Sequence, residues 1–199
     1  MAGRTRLALM ALAAVVAIGV SGVIGYHLTR GGAPSAPRYA VGGPIDLTAE
    51  DGRRFTNADL GGKPFAVFFG FTRCPNVCPT TLSDLTLDLE QLGPLADKLK
   101  VLFVSVDPER DTPETLKDYL SAFDPRITGL SGTPAEIASL AKAYRVFYEK
   151  VPTEGGDYTM NHTATVYLMD GKGALASTIS LEEDQPTRVA KLKQLAENG

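Results

Sequence analysis

Apolar residues follow three rhythms along the chain. The first is unbroken: Leu7 to Leu28 runs for 22 residues without a formal charge, LALMALAAVVAIGVSGVIGYHL. As a helix rising ~1.5 Å per residue it reaches ~33 Å, enough to cross a ~30 Å hydrocarbon core. Arg4 and Arg6 precede the run and Arg30 follows it, which favours an N-terminus left in the cytoplasm. A secretory signal peptide is the rival reading. Its apolar stretch would be ~7–15 residues long and end at a small-x-small cleavage site. The run here is longer, and Tyr26-His27-Leu28 is a poor cleavage context. Residues 1–30 are therefore expected to form a retained membrane anchor, with His27 at the headgroup interface. Residues 31–40, GGAPSAPRYA, have almost nothing to bury and read as a flexible linker. One domain is expected over residues 41–199.

The second rhythm is the short apolar run that predicts a buried strand. Pro64-Phe65-Ala66-Val67-Phe68-Phe69-Gly70 and Val101-Leu102-Phe103-Val104-Ser105-Val106 are apolar on both alternating faces, as strands covered on both sides require. A short strand at Ile45–Leu47 precedes them, followed by a turn into Arg54-Phe55-Thr56. Thr163 to Met169 is a later strand, turned by Asp170-Gly171-Lys172-Gly173 into Ala174–Ser180 as a hairpin.

The third rhythm is helical. Leu82, Leu85, Leu89 and Leu92 form a stripe that ends or kinks at Gly93-Pro94. Thr112-Pro113-Glu114 supplies an N-cap with proline at the first helical position, opening a helix through Phe123. Thr133-Pro134-Ala135-Glu136 is a capping box that starts another, through about Tyr144. Pro186 to Glu197 closes the chain as an amphipathic helix. The order is strand, strand, helix, strand, helix, helix, strand, strand, helix. A βαβ crossover followed by a hairpin and a final helix implies an α/β domain, a mixed central sheet flanked by helices on the thioredoxin-like plan.

Composition narrows the function. Hydrophobic residues at 44% and charged residues at 22% exclude a disordered or collagen-like chain. Arg4, Arg6 and Arg30 are the only charges in the first 30 residues, so the rest holds 17 basic against 23 acidic side chains. A domain of that balance does not track a phosphate backbone, and nucleic acid is excluded as a partner.

The chemistry centres on Cys74 and Cys78, the only two cysteines, placed between a strand and a helix. A disulfide closing so short a loop constrains little unfolded-chain entropy, so a purely structural bridge would be a poor use of the pair. Near-helical backbone would bring their Cα atoms to ~6 Å, within the workable range for a reversible disulfide. Pro79 fits the first helical position, which makes Cys78 the expected N-cap, where free N–H groups and the helix dipole stabilise a thiolate. Thiolates attack disulfides and bind soft metals. His162 is the one histidine of the exported domain and precedes a sheet strand. Two thiolates and a neutral imidazole suit copper, thiolate for Cu(I) with imidazole helping to hold Cu(II). Zinc also accepts such a set but wants a fourth ligand or water. Met160 is a conceivable thioether ligand, with a gap-filling apolar contact as the preferred reading.

Phe69-Gly70-Phe71-Thr72-Arg73-Cys74-Pro75-Asn76-Val77-Cys78-Pro79-Thr80-Thr81-Leu82 resembles the core motif of the Sco/SenC proteins. Ser105-Val106-Asp107-Pro108-Glu109-Arg110-Asp111-Thr112-Pro113 resembles their second block, and Asn161-His162-Thr163 their third. The resemblance covers roughly Val41 to the end. It implies a membrane-anchored, thioredoxin-fold copper metallochaperone that assists maturation of the binuclear copper centre of cytochrome c oxidase. It implies that Cys74, Cys78 and His162 bind one copper ion, as Cu(I), Cu(II) or both, and it maps the aspartate of the second block onto Asp107. Many members carry aspartate directly before the histidine. Asn161 stands there in this chain and removes a negative charge beside the site.

The expected partners are the copper-site subunit of the oxidase, other periplasmic copper chaperones or thiol reductants, and the membrane itself. The expected location is a bacterial inner membrane, single-pass, with the C-terminal domain in the periplasm. No Arg/Ser-rich transit segment favours a mitochondrial one. The alternative function is a thiol–disulfide oxidoreductase in which Cys74 and Cys78 reduce the cysteines of the oxidase copper site or of another exported protein. A peroxiredoxin is disfavoured: the threonine expected three residues before the reactive cysteine is Pro75 for Cys78 and Phe71 for Cys74. The charged residues Asp107, Glu109, Arg110 and Asp111 read as a loop after a strand, with Arg110 in an ion pair, and not as acid–base machinery.

Overall fold

The structure is a computed structural model that describes residues 41–199; the expected anchor at 1–30 and linker at 31–40 lie outside them. Among the described residues no helix is long and apolar enough to cross a membrane. Strands β1 (Asp46–Ala49), β2 (Arg54–Thr56), β3 (Phe65–Gly70), β4 (Lys100–Ser105), β5 (Ile127–Ser131), β8 (Val166–Met169) and β9 (Leu175–Ile179) form one sheet in the order β2-β1-β5-β4-β3-β8-β9. Strands β3, β4 and β5 run parallel, and β8, β9, β1 and β2 are antiparallel to their neighbours. The mixed sheet is the expected one. Helices α1 (Val77–Leu92) and α2 (Pro113–Leu120) make the crossovers from β3 to β4 and from β4 to β5. They are followed by α3 (Pro134–Tyr144) and α4 (Gln185–Asn198).

Every residue of β3 is buried, which is why its sequence is apolar at successive positions instead of alternating. Its side chains divide the core. Phe69 meets Tyr144 of α3 and Tyr167 of β8, while Phe68 meets Phe103 of β4 on the opposite face. Helix α1 buries Leu82, Leu85, Leu89 and Leu92, the stripe seen in the sequence. A buried ion pair ties α1 to α4: Arg188 Nε donates to Asp88 at 2.8 Å, and Asp88 is fully buried.

Two features depart from the sequence reading. A strand, β5, lies between α2 and α3, where two consecutive helices were expected. Its short run is interrupted by Gly129, where a Cβ would come within 2.6 Å of Leu120 on the packed face of α2. A separate two-stranded sheet, β6 (Tyr148–Pro152) with β7 (Tyr158–His162), was not anticipated. Most of β6 is exposed, so it lacks an apolar signature, and its turn signal is Gly155-Gly156, both at positive φ. His162 is consequently the last residue of that hairpin, and β8 begins only at Val166, later than the expected Thr163.

Candidate metal centre

The site forms where the parallel strands β3 and β4 end and α1 begins, the usual place for chemistry in an open α/β sheet. Helix α1 starts at Val77, two residues before the position expected from Pro79, with Asn76 as its N-cap and no side-chain cap bond. Proline is tolerated there because N–H groups in the first turn have no intrahelical acceptor to lose. The correction exchanges the roles of the two cysteines. Cys78 lies inside the first turn, and its backbone N–H donates to Cys74 Sγ at 3.4 Å. Cys74 is therefore the sulfur that caps the helix.

Acidity follows this geometry. The Cys74 thiol is brought down to about 3, chiefly by hydrogen bonding from the Cys78 side chain, with the backbone N–H groups of Cys78 and Asn76 helping against burial. Cys78 moves up, because the Cys74 sulfur beside it accepts its proton and because it is buried. Cys74 is half-buried, Cys78 is fully buried, and both are free thiols. The arrangement is one outward thiolate and one inward thiol.

His162 completes the group. Its Nε2 lies 3.5 Å from Cys78 Sγ, and its Nδ1 lies 3.0 Å from the Thr163 carbonyl. With Nδ1–H donating to that carbonyl, the lone pair resides on Nε2 and faces the sulfurs, the tautomer a metal ligand needs. Phe68 and Phe71 set edges against the imidazole, with centroids 6.2 and 5.8 Å away, and fix its plane. The donor atoms of Cys74, Cys78 and His162 all lie within 4.8 Å of one another. Gly70 leaves room for the group: a Cβ there would sit 2.8 Å from Cys78 Sγ and 2.6 Å from Phe103. Soft, apolar-walled and short of hard oxygen donors, the set suits a thiophilic ion.

Three further residues of the second sequence block act around this centre. Asp111 is buried and accepts from the Thr72 backbone N–H at 3.0 Å, the Thr72 hydroxyl at 2.6 Å and the Ser105 hydroxyl. It anchors the loop that leads into Cys74, a role that its place in a charged run did not disclose. Burial pushes its carboxyl up against the opposing pull of those hydrogen bonds. Asp107 and Arg110 form the expected ion pair, but it is buried: the Asp107 side chain is fully covered and that of Arg110 only 12% exposed. Met160 is buried in the core, as expected of an apolar filler.

A mixed α/β domain with a Cys-x3-Cys pair opening a helix and a histidine closing on it defines a thioredoxin-like fold carrying a potential soft-metal centre. The SCO1/SenC family profile matches residues 33–197, and the chain belongs to that family. It is 42% identical over 137 residues to the mitochondrial SCO1 homolog 1 of Arabidopsis thaliana, covering 68% of this chain and 41% of that protein. With the human mitochondrial SCO1 homolog it shares 40% over 136 residues, 67% of this chain and 45% of the relative. The chain thus spans about half the length of the curated relatives it matches. Among solved structures, copper-bound ScoI of Bradyrhizobium japonicum is 51% identical with a TM-score of 0.74, covering 78% of this chain and 99% of that one. Copper-bound yeast Sco1 is 37% identical with a TM-score of 0.74, covering 81% and 91%.

Proposed function

We propose that this protein is a copper metallochaperone in which Cys74, Cys78 and His162 hold one copper ion as cargo, and that it assists maturation of the binuclear copper centre of cytochrome c oxidase. The observation that carries the proposal is the convergence of two sulfurs and one imidazole nitrogen within 4.8 Å. A carrier needs ligands that are ready without refolding. The Cys78 side chain, with the backbone N–H groups at the start of α1, already holds Cys74 as thiolate, and the Thr163 carbonyl already orients His162. Copper-bound relatives of the same fold support the choice of metal. Residues 1–30 act as the anchor and residues 31–40 as the tether. They place the domain of residues 41–199 on the periplasmic face of a bacterial inner membrane, beside the copper-site subunit of the oxidase and the copper chaperones or thiol reductants that supply it. The test is Cu(II) stoichiometry on the protein with its thiols reduced, wild type beside His162→Ala. One tightly held copper, much weakened in the variant, is expected; equal weak binding in both refutes the site.

A second reading has its own observation, the asymmetry of the thiols. An accessible thiolate beside a buried thiol is the arrangement of an attacking and a resolving cysteine. Cys74 Sγ attacks a target disulfide, forming a mixed disulfide and expelling one target thiolate. Cys78 then passes its proton to the first expelled target thiolate, and its sulfur attacks Cys74 Sγ, releasing the second target thiolate and leaving a Cys74–Cys78 disulfide, with two electrons passed to the target. His162 discriminates the readings, since in exchange the Cys78 proton can pass to the expelled target thiolate, whereas Cu(II) binding needs the imidazole.

A further inference from the structure

The two halves of the metal centre belong to different bodies of structure. Cys74 lies on the loop from β3 to α1 and Cys78 in the first turn of α1, within the crossover of the large sheet. His162 rides on the β6–β7 hairpin, whose strands pair only with each other. A two-stranded ribbon alone is marginally stable in water, so the position of His162 depends on how the hairpin is fastened to the body.

The fastening is specific. Tyr158, the first residue of β7, donates its hydroxyl to Asp107 Oδ1 at 2.8 Å. Arg110 lies flat above the Tyr158 ring at 3.6 Å, donates through Nη1 to the Tyr158 carbonyl at 2.8 Å, and donates through Nε to Asp107 Oδ2. Asp107 is held in turn: its backbone N–H donates to Ser105 Oγ, and Ser105 donates to Asp111, which fixes Thr72 two residues before Cys74. A continuous set of bonds therefore joins the strand bearing the histidine to the loop bearing the outer cysteine. The nearby Lys150–Glu109 pair is exposed on both sides and contributes little.

We propose that Asp107, Arg110 and Tyr158 are positioning residues for His162, and that their clasp sets how well the centre holds Cu(II) relative to Cu(I). The inference rests on the copper reading above. Two thiolates, one from the loop before α1 and one from its first turn, satisfy Cu(I), a soft ion content with few ligands, whereas Cu(II) depends on the imidazole. Loosening the hairpin therefore costs Cu(II) first.

The test uses the full-length chain with Tyr158→Phe, which removes one hydroxyl, and Arg110→Lys, which keeps the charge and loses the planar fork. Glu109→Gln is the control. Readouts are Cu(II) and Cu(I) affinity by competition, the thiolate-to-Cu(II) charge-transfer band with its electron paramagnetic resonance spectrum, and hydrogen exchange at the 158–162 amides. For both clasp variants Cu(II) affinity is expected to fall about 10–100-fold, as for other partners that orient metal ligands, with an altered Cu(II) spectrum and unchanged Cu(I) affinity. Exchange should quicken in the hairpin and not in α1, and Glu109→Gln should match wild type. In a His162→Ala background Tyr158→Phe should add no further loss. Equal losses for both oxidation states, or an unaltered Cu(II) site in a clasp variant, overturn the proposal. Wild type that binds no copper sinks the carrier reading and the oxidation-state preference with it, while the exchange measurement still decides whether the clasp positions the hairpin.

Discussion

Gly70→Ala tests whether the space beside Cys78 is as tight as the geometry requires. The added methyl would lie 2.8 Å from Cys78 Sγ and 2.6 Å from Phe103 Cε2, and both must open to about the 3.4 Å at which ordinary contact begins. Neither has free room. Cys78 and Phe103 are both fully buried, and Phe103 is braced by Phe68 on one side and Tyr119 on the other. Interiors are packed too densely to absorb a methyl group silently, and such overpacking costs about 1–3 kcal/mol. For a domain of this size each kcal/mol lowers the melting temperature by about 2–4 °C. The displaced sulfur also leaves His162 Nε2, its 3.5 Å neighbour, so copper affinity should fall together with stability. Thermal melting of the metal-free protein gives the first quantity and competition with a chelator gives the second. A variant that melts with wild type and binds copper equally well would refute the claim that glycine is needed at the end of β3.

Alkylation by iodoacetamide should modify Cys74 first, at a rate nearly flat from pH 8 to pH 5, because its thiolate persists until the pH approaches about 3. A rate falling about tenfold per unit below pH 8.5, as for a free thiol, would contradict the helix-capping geometry. Arg188→Met should destabilise by about 3–5 kcal/mol in urea unfolding, since it strands the fully buried Asp88, while Arg188→Met with Asp88→Leu should recover most of the loss. Asp124→Asn probes the Asp124–Arg126 pair, in which hydrogen bonds from Arg126 hold the carboxyl below its usual 3.8. The folded value is the lower one, so the pair stabilises above that pH and fails as the pH falls through it. The variant should be about 1–2 kcal/mol less stable at pH 7 and level with wild type once the Asp124 carboxyl of wild type is protonated.

The parts of the fold legible in the sequence are those whose signal is local and continuous. The buried strands β3 and β4 announced themselves by unbroken apolar runs, and α3 by the Thr133 capping box with Glu136, which the structure reproduces bond for bond. What escaped depends on contacts far along the chain. Strand β5 is short and split by Gly129, a residue that weakens a strand pattern on paper but lets Leu120 close over the sheet. The β6–β7 hairpin has an exposed strand and so no alternation to read; Gly155-Gly156 between Val151 and Tyr158 was the available turn signal. Within the site, residue identity was legible and the assignment of roles was not. Pro79 pointed to Cys78 as the capping thiolate because proline favours the first helical position, yet the helix began earlier and the role passed to Cys74. Asp111 looked like surface charge until Thr72, 39 residues away, turned out to be its partner.

The asymmetry of the two thiols bears on the choice between carriage and exchange. Cys74 and Cys78 alone are consistent with either, since an accessible thiolate beside a buried thiol serves both to bind a soft ion and to attack a disulfide. The difference lies in what the fold invests around His162. Its ring plane is set by Phe68 and Phe71, its tautomer by the Thr163 carbonyl, and its strand by Asp107, Arg110 and Tyr158. A dithiol that passes electrons to a partner would use that imidazole only as the base for Cys78, a task that the expelled target thiolate can also perform. A centre that must hold copper in both oxidation states needs it, because the nitrogen is the ligand that Cu(II) requires and Cu(I) can forgo. That oriented nitrogen is the feature on which the proposed carriage of copper rests, with thiol exchange as a capacity of the same pair.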